Sequence, residues 1–222
     1  MRKLSLKTRS ALKLLVLGVL TTIFLFVFPH RSTLVDVSLA LFALVVLALN
    51  ARFTRNVIWA QFPPRGRRAQ RVRDCLTTIT AMTLAVVLVF FGIALSIGYA
   101  QGGWSTAIPR ISNWHILLAI CFYFPWALLQ QTLFQFYLLG RLRTIFPAPV
   151  AIICTGMSYA LVHLPDVWTT LASAVAGIFW TVLYYRYRLL SPLALSHAIL
   201  GSTFYYWIMG RDLAEAWQHL LR

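Results

Sequence analysis

Five polar side chains of types that could do chemistry lie within apolar stretches of the chain. Gln130, Gln131 and Gln135 interrupt one such stretch, and His163 and His197 interrupt two later ones. Lipid tails offer an amide or an imidazole no hydrogen-bond partner, so such groups at membrane depth normally face a bundle interior or a wet cavity. We therefore treat these residues as candidate site residues. The plainer alternative is that they only join neighbouring helices through hydrogen bonds.

Three pairs in these stretches share a spacing of four positions: Gln131 and Gln135, Tyr159 and His163, and His197 and Gly201. Residues at this spacing lie on one face of an α-helix, so each pair occupies a single face. An ionisable residue inside a membrane span is a functional hypothesis by default. For either histidine, the alternative is a neutral ring that is hydrogen-bonded to a neighbouring helix.

Composition indicates a polytopic membrane protein. Of the 222 residues, 60% are hydrophobic and 11% are charged, and several apolar runs reach bilayer-spanning length. The net charge of +15 comes from lysines and arginines in short loops between these runs. This pattern predicts contact with anionic lipid at the basic loops and no nucleic-acid partner. Cys75, Cys121 and Cys154 have neither disulfide nor metal spacing and are interpreted as small buried hydrophobic residues.

The apolar runs predict an all-α bundle of about seven transmembrane helices, at approximately residues 14–29, 33–50, 75–99, 114–140, 148–164, 167–185 and 191–209. With the N-terminus inside, 16 of the 20 lysines and arginines fall on the inner side, which predicts an outer C-terminus. Pro125 is expected to kink the fourth helix, because proline removes a backbone hydrogen bond. In the sixth helix, Ser173 and Gly177 form a small-residue pair suited to close helix contact.

The predicted spans divide the chain into three regions. Residues 1–113 form an N-terminal membrane region with three spans and a basic loop over residues 53–74. Within that loop, residues 57–62 are expected to lie flat on the membrane surface. Residues 114–209 form a four-span core that holds every candidate site residue. Residues 210–222 form a short tail that is predicted to be an amphipathic helix.

The order of the candidate residues resembles that of the CAAX protease and bacteriocin-processing proteins, also called the Abi family of intramembrane endopeptidases, and in particular that of the type II CAAX prenyl proteases. Members show Glu-Glu-x-x-x-Arg, then Phe-x-x-x-His, then His-x-x-x-Asn or a similar small polar residue. The corresponding segments here are Gln130-Gln131-Thr-Leu-Phe-Gln135, Tyr159-Ala-Leu-Val-His163 and His197-Ala-Ile-Leu-Gly201. The resemblance covers about residues 114–207.

This resemblance implies a glutamate-dependent, metal-independent peptidase without a cofactor, in a bacterial inner membrane, that acts on a membrane-inserted or lipidated peptide. It also implies that the glutamates and the first histidine activate a water, and that the second histidine and its asparagine stabilise the oxyanion. Here Gln130 and Gln131 replace the carboxylates, Gln135 replaces the arginine and Gly201 replaces the asparagine. A carboxamide cannot take a proton from water, so we expect altered or lost catalysis.

The replacements are mutually consistent. An arginine left beside two amides would be an unpaired charge inside the membrane, and Gln135 avoids that cost. Three amides can instead hydrogen-bond with one another. This pattern is typical of a catalytic site that has lost its activity or acquired another function. The alternative function is therefore that of a non-catalytic protein that binds a membrane segment or peptide, as a chaperone, immunity factor or regulator.

Under two further hypotheses the protein would still be an enzyme. Asp166, three residues after His163, is a possible stand-in acid that polarises His163, although such a residue more often caps the next helix. His163, His197 and Asp166 together are a possible site for a divalent metal. A transporter is disfavoured, because the sequence shows neither paired repeats nor acidic ion sites.

Overall fold

The computed structural model describes residues 67–211 and, before them, residues 5, 7, 8, 10–16, 38, 41, 42 and 45. The first two predicted spans lie outside the described residues except at these few positions. The surface segment predicted over residues 57–62, most of the basic loop and nearly all of the predicted tail also lie outside them.

All regular structure in residues 67–211 is helical, which confirms the all-α prediction. The helices are α1 (Arg68–Gly102), α2 (Trp104–Ser112), α3 (His115–Gln131), α4 (Leu139–Leu142), α5 (Ala148–Leu161), α6 (Val167–Tyr187) and α7 (Leu190–Thr203). Two segments are π-helical: Thr132–Leu138 joins α3 to α4, and Phe204–Ile208 continues α7.

Three helical runs within the described residues are long and apolar enough to cross a bilayer: Arg68–Gly102, Trp104–Leu142 and Val167–Tyr187. Large apolar side chains are widely exposed along them, including Leu88 at 68% on α1 and Val175 at 74% on α6. Apolar exposure of this extent is expected where lipid surrounds a helix. The chain is therefore an integral membrane protein. The count of seven spans and the orientation stay predictions.

The first long helix begins earlier than predicted. α1 starts at Arg68 rather than near residue 75, so Arg71 and Arg73 lie on a helix and not in the predicted loop. Arginine is a good helix former, which explains the extension. At about 1.5 Å per residue, the 35 residues of α1 exceed the hydrocarbon core of about 30 Å. Part of α1 therefore extends into the head-group region or beyond it.

A short helix, α2, replaces the loop that was predicted before the fourth span. Gly103 has a φ of 67° and ends α1, after which Trp104 begins α2. On α2, Arg110 donates from Nε to the carbonyl oxygen of Trp207 at 2.7 Å and from Nη2 to that of Ile208 at 3.1 Å. Carbonyls at the end of a helical run lack helical partners, so Arg110 caps the segment Phe204–Ile208.

Two compact units make up the chain. The first consists of Met1–Arg65 and Leu129–Arg188, and the second of Gly66–Leu128 and Leu189–Arg222. In the first unit, α5 and α6 pack together, and both contact the segment Thr132–Leu138. In the second unit, α1 packs against α2, α7 and the segment Phe204–Ile208. The division into three regions stays a prediction.

Glycines bring α5 and α6 into close contact. A Cβ on Gly177 would lie 3.0 Å from the carbonyl oxygen of Gly156, so the close approach predicted at Gly177 is confirmed. A Cβ on Gly156 would lie 2.7 Å from the backbone nitrogen and 2.8 Å from the Cα of Ile178. A side chain at position 156 would require the backbone of Ile178 to shift, and one at position 177 would require the Tyr159 ring, 2.9 Å from the added Cβ, to move.

Gly156→Ala is expected to lower the free energy of unfolding by about 1–3 kcal/mol, because the backbone of Ile178 cannot turn aside as a flexible side chain can. Gly92→Ala is the matched control, since nothing lies within 4 Å of a Cβ at that position, and alanine favours a helix over glycine by about 0.5–1 kcal/mol. Thermal unfolding of both variants in the same detergent measures the difference. Equal unfolding temperatures would contradict the close contact.

Candidate functional site

The three glutamines lie where α3 gives way to the π-helical segment. Gln131 and Gln135 are 0% exposed, and Gln130 is half-buried. Gln135 Nε2 donates to Thr181 Oγ1 on α6 at 3.3 Å, and the Thr181 hydroxyl donates to the Gly177 carbonyl oxygen at 2.6 Å. The single hydroxyl proton of Thr181 is used within its own helix, so its oxygen is free to accept from the Gln135 amide.

Four amide atoms of these glutamines are buried without a hydrogen-bond partner among the described residues: Nε2 and Oε1 of Gln131, and the Oε1 atoms of Gln130 and Gln135. Leaving one such atom unpaired costs about 1–3 kcal/mol. Buried polar atoms in native proteins are nearly always paired, so each exception calls for an explanation. Gln131 is the extreme case, because neither its donor nor its acceptor is used.

The backbone changes from α- to π-helical geometry at this position. Gln135 lies inside the π-helical segment Thr132–Leu138, directly after Gln131 ends α3. Such segments are rare and frequently occur at functional sites. Pro125, where a kink is predicted, lies earlier, within α3. The change of geometry therefore coincides with the glutamines rather than with the proline.

Tyr159 on α5 is buried among aromatic rings. Its ring centroid lies 5.2 Å from that of Phe134, 5.8 Å from that of Trp180 and 5.3 Å from that of His163. α5 ends at Leu161 rather than at the predicted residue 164, so His163 lies in the following turn. His163 Nδ1 is 3.1 Å from the Tyr159 carbonyl oxygen. A carbonyl oxygen can only accept, so Nδ1 carries the proton and Nε2 is the basic nitrogen of the neutral ring.

Asp166 caps α6. Its side chain accepts from the backbone N–H of Thr169 at 3.1 Å, which confirms the capping alternative. The stand-in acid role stays a prediction. Among the described residues, no group of three or more His, Cys, Asp or Glu side chains is arranged to hold a metal ion. The metal hypothesis therefore has no ligand cluster in this part of the chain.

In the second unit, His197 on α7 is 3% exposed and contacts a residue that was not predicted. Its Nε2 atom lies 3.2 Å from the hydroxyl oxygen of Tyr123 on α3, and the two rings meet edge to face at 5.3 Å. A Cβ on Gly201 would lie 2.7 Å from Tyr123 Cε1. Ser196 shares a 2.7 Å hydrogen bond with Thr83 on α1. His197, Tyr123 and Gly201 therefore form one packed cluster.

A comparison with known protein families finds a match in the part of the chain that contains the candidate residues. Residues 111–203 match the family model described as Type II CAAX prenyl endopeptidase Rce1-like. This segment is CAAX protease-like. The matched range contains every candidate site residue, and it confirms the resemblance predicted from the motifs. No curated protein and no solved structure matches the chain.

The candidate residues of the CAAX protease-like segment fall in both compact units. Six belong to the first unit: Gln130, Gln131, Gln135, Tyr159, His163 and Asp166. His197 and Gly201 belong to the second. The structure joins Tyr159 to His163 in the first unit and joins both His197 and Gly201 to Tyr123 in the second. That both groups belong to one site is what the family resemblance implies, and it stays a prediction.

Sequence reasoning missed two residues of the CAAX protease-like segment, Tyr123 and Thr181. Each carries a hydroxyl inside an apolar helix, the same kind of signal that singles out the glutamines. Threonine, however, commonly bonds to its own helix, as Thr181 does with Gly177, and tyrosine often lies at a membrane interface. Only the partners seen in the structure separate these two from the other hydroxyl residues.

Proposed function

We propose that the CAAX protease-like segment binds a lipidated or membrane-inserted peptide and that peptide-bond hydrolysis there is altered or lost. The family match supports the substrate class, because the family is described as a prenyl endopeptidase. The main support for binding is the Gln131 side chain, whose two polar atoms are unpaired among the described residues. Because Gln131 is 0% exposed, the proposed complex requires the helices around it to move apart and admit the peptide. One free donor and one free acceptor complement the C=O and N–H of a peptide group.

The loss of hydrolysis follows from the same amides. A general base typically contributes about 10²- to 10⁴-fold to a reaction, and an amide cannot serve as one. The described residues include two acids, Asp74 near the start of α1 and Asp166 at the cap of α6. Asp166 already accepts a backbone hydrogen bond. An amide-lined site of this kind can still hold a peptide, because hydrogen bonding to a main chain needs no charge.

The membrane setting of the proposal is a bacterial inner membrane with the N-terminus inside. Its support is the family resemblance and the bias of lysines and arginines toward one side of the predicted spans. Arg68, Arg71 and Arg73 near the start of α1 are proposed to contact anionic lipid head groups, since a basic segment at the inner surface attracts such lipids.

Gln131→Met tests the proposal, because it keeps the size of the side chain and removes both unpaired atoms. We expect peptide binding to weaken by about 10-fold or more, as the loss of one to two hydrogen bonds would give. We also expect the unfolding temperature to stay the same or rise, since a buried unpaired amide is removed. The probe is a fluorescent peptide with an S-farnesyl cysteine three residues before its carboxyl end, titrated with protein in nanodiscs.

The matched control is Gln101→Met on α1, an exposed glutamine far along the chain from the site. This variant should bind the farnesylated peptide as the unaltered protein does. Undiminished binding by Gln131→Met would refute a role for this amide in peptide recognition. Failure of the unaltered protein to bind any farnesylated or membrane-inserted peptide would refute the proposed function itself.

A second candidate is a residual peptidase in which His163 acts as the base. The hydrogen bond from Nδ1 to the Tyr159 carbonyl favours it, because that bond leaves the lone pair on Nε2. Cleavage of the farnesylated peptide by the unaltered protein, lost in His163→Ala and only reduced in Gln130→Ala, would favour this candidate. Binding without cleavage would favour the first.

A further inference from the structure

We infer that Tyr123 is the positioning residue for His197 and that it takes the place of the side chain that Gly201 lacks. The phenol holds the imidazole, and the absence of a Cβ at position 201 is what lets the phenol reach it. The effect of this hydrogen bond on peptide binding rests on the proposed function. The hydrogen bond between the Tyr123 and His197 side chains is independent of that function.

The contact between Tyr123 and Gly201 shows why the two positions depend on each other. A Cβ at position 201 would lie 2.7 Å from Tyr123 Cε1 and 3.4 Å from Cδ1. The first distance is well inside normal carbon–carbon contact, so any larger residue at 201 must displace the ring. The absence of a side chain at Gly201 therefore leaves the space beside α7 that the Tyr123 ring occupies.

The residues packed around the Tyr123 ring hold it in this space. Ala127 on α3 and Ala194 and Ala198 on α7 form a fully buried cluster, with Tyr123 packed against it. Alanines let two helices approach closely, which limits how far either can move. On α7, the hydrogen bond between Ser196 and Thr83 ties the residue before His197 to α1. The Tyr123 hydroxyl and His197 Nε2 are thus held together by the fold around them.

The chemistry of the pair determines the state of the imidazole. A phenol O–H is a stronger donor than the N–H of a neutral imidazole, so Tyr123 donates to His197 Nε2 over 3.2 Å. This bond fixes both the tautomer and the orientation of the ring, as a partner on one nitrogen does in other histidine sites. Tyr123 thereby supplies from α3 what a polar side chain at position 201 would supply from α7, one turn from His197.

The spectroscopic test uses ¹⁵N-histidine-labelled protein in detergent, with the His197 signals assigned through His197→Asn. The variant Tyr123→Phe keeps the aromatic ring beside Gly201 and loses only the hydroxyl. The His197 Nε2 resonance should move toward that of a basic nitrogen without a donor. Tyr99→Phe, on the exposed part of α1, is the control and should leave it in place. An unchanged His197 resonance in Tyr123→Phe would overturn the inference.

The exchange test moves the polar partner of His197 from Tyr123 on α3 to position 201 on α7. Gly201→Asn alone should lower binding of the farnesylated peptide by about 10-fold or more, because it displaces Tyr123 and breaks its hydrogen bond. Tyr123→Ala should lower it similarly. The double variant Tyr123→Ala with Gly201→Asn should regain most of the binding, since the asparagine occupies the vacated space. A double variant that binds no better than either single one would count against the exchange.

The two tests separate this inference from the proposed function. If the His197 resonance moves as expected and the unaltered protein binds no peptide, the positioning role stands and the proposed function fails. If the peptide binds and the resonance does not move, the proposed function stands and the inference fails.

Discussion

Gln131→Glu is expected to lower the free energy of unfolding by about 3–5 kcal/mol at neutral pH, whereas Gln131→Met should not lower it. The side chain is 0% exposed, and no described residue bonds to its amide. A carboxylate there would be a buried charge without a partner, which is among the costliest changes a protein interior can receive. Unfolding of the three proteins in one detergent, followed by circular dichroism, measures the difference.

The predicted rescue is Gln135→Arg in the Gln131→Glu background. Position 135 follows on the next helical turn, and its Oε1 atom is also unpaired among the described residues. A guanidinium there would neutralise and hydrogen-bond the new carboxylate, so the double variant should recover at least half of the lost stability. Gln135→Arg alone should destabilise. Additive effects of the two changes would contradict an interaction between the two positions.

Coupling of this kind would explain why three amides occur together in one motif. In a motif of two glutamates and one arginine, replacing both glutamates strands a positive charge, and replacing only the arginine leaves two carboxylates without a partner. Replacing all three residues leaves no charge at the motif. The three glutamines do not satisfy one another's hydrogen-bonding groups, since four of their amide atoms have no partner among the described residues. Gln135 joins α6 through Thr181, and the unpaired atoms of the three glutamines are the observation on which the proposed binding role rests.

Sequence patterns predicted the helical regions well and their ends less well. Apolar runs located α1, α5, α6 and α7, because burial in lipid imposes hydrophobicity along the whole length of a span. They did not locate α2 or the start of α1, because the serines, threonine and arginine of α2 and the arginines at the start of α1 interrupt the apolar pattern. The change to π-helical geometry at Thr132–Leu138 also had no signal. The segment packs against α5 and α6, and no local pattern records such contacts.

Spacing predicted the candidate site residues but not their partners. The motif positions identified His197 and Gly201 because a spacing of four places both on one face of α7. Tyr123 belongs to another helix, and only the fold brings its hydroxyl to 3.2 Å from His197 Nε2. Gly201 was interpreted as the loss of an asparagine. The structure shows in addition that its missing Cβ makes room for the Tyr123 ring.

Restoring the charged motif should restore hydrolysis. The triple variant Gln130→Glu, Gln131→Glu and Gln135→Arg is expected to cleave the farnesylated peptide about 10²- to 10⁴-fold faster than the unaltered protein, because a carboxylate can then take a proton from the attacking water. Mass spectrometry of the released carboxyl-terminal tripeptide measures the rate.

His163→Ala in the triple background is the control, and it should abolish the gain if His163 shares the water with the carboxylates. The arginine is part of the design, because two carboxylates without it would destabilise the protein and mask any activity. A triple variant that unfolds at the temperature of the unaltered protein and binds the peptide equally well, yet cleaves no faster, would show that a carboxylate at these positions cannot activate a water against the bound peptide. The segment would then be a peptide-binding site in which more than the acids has changed, and Gly201 with Tyr123 would be the next pair to exchange.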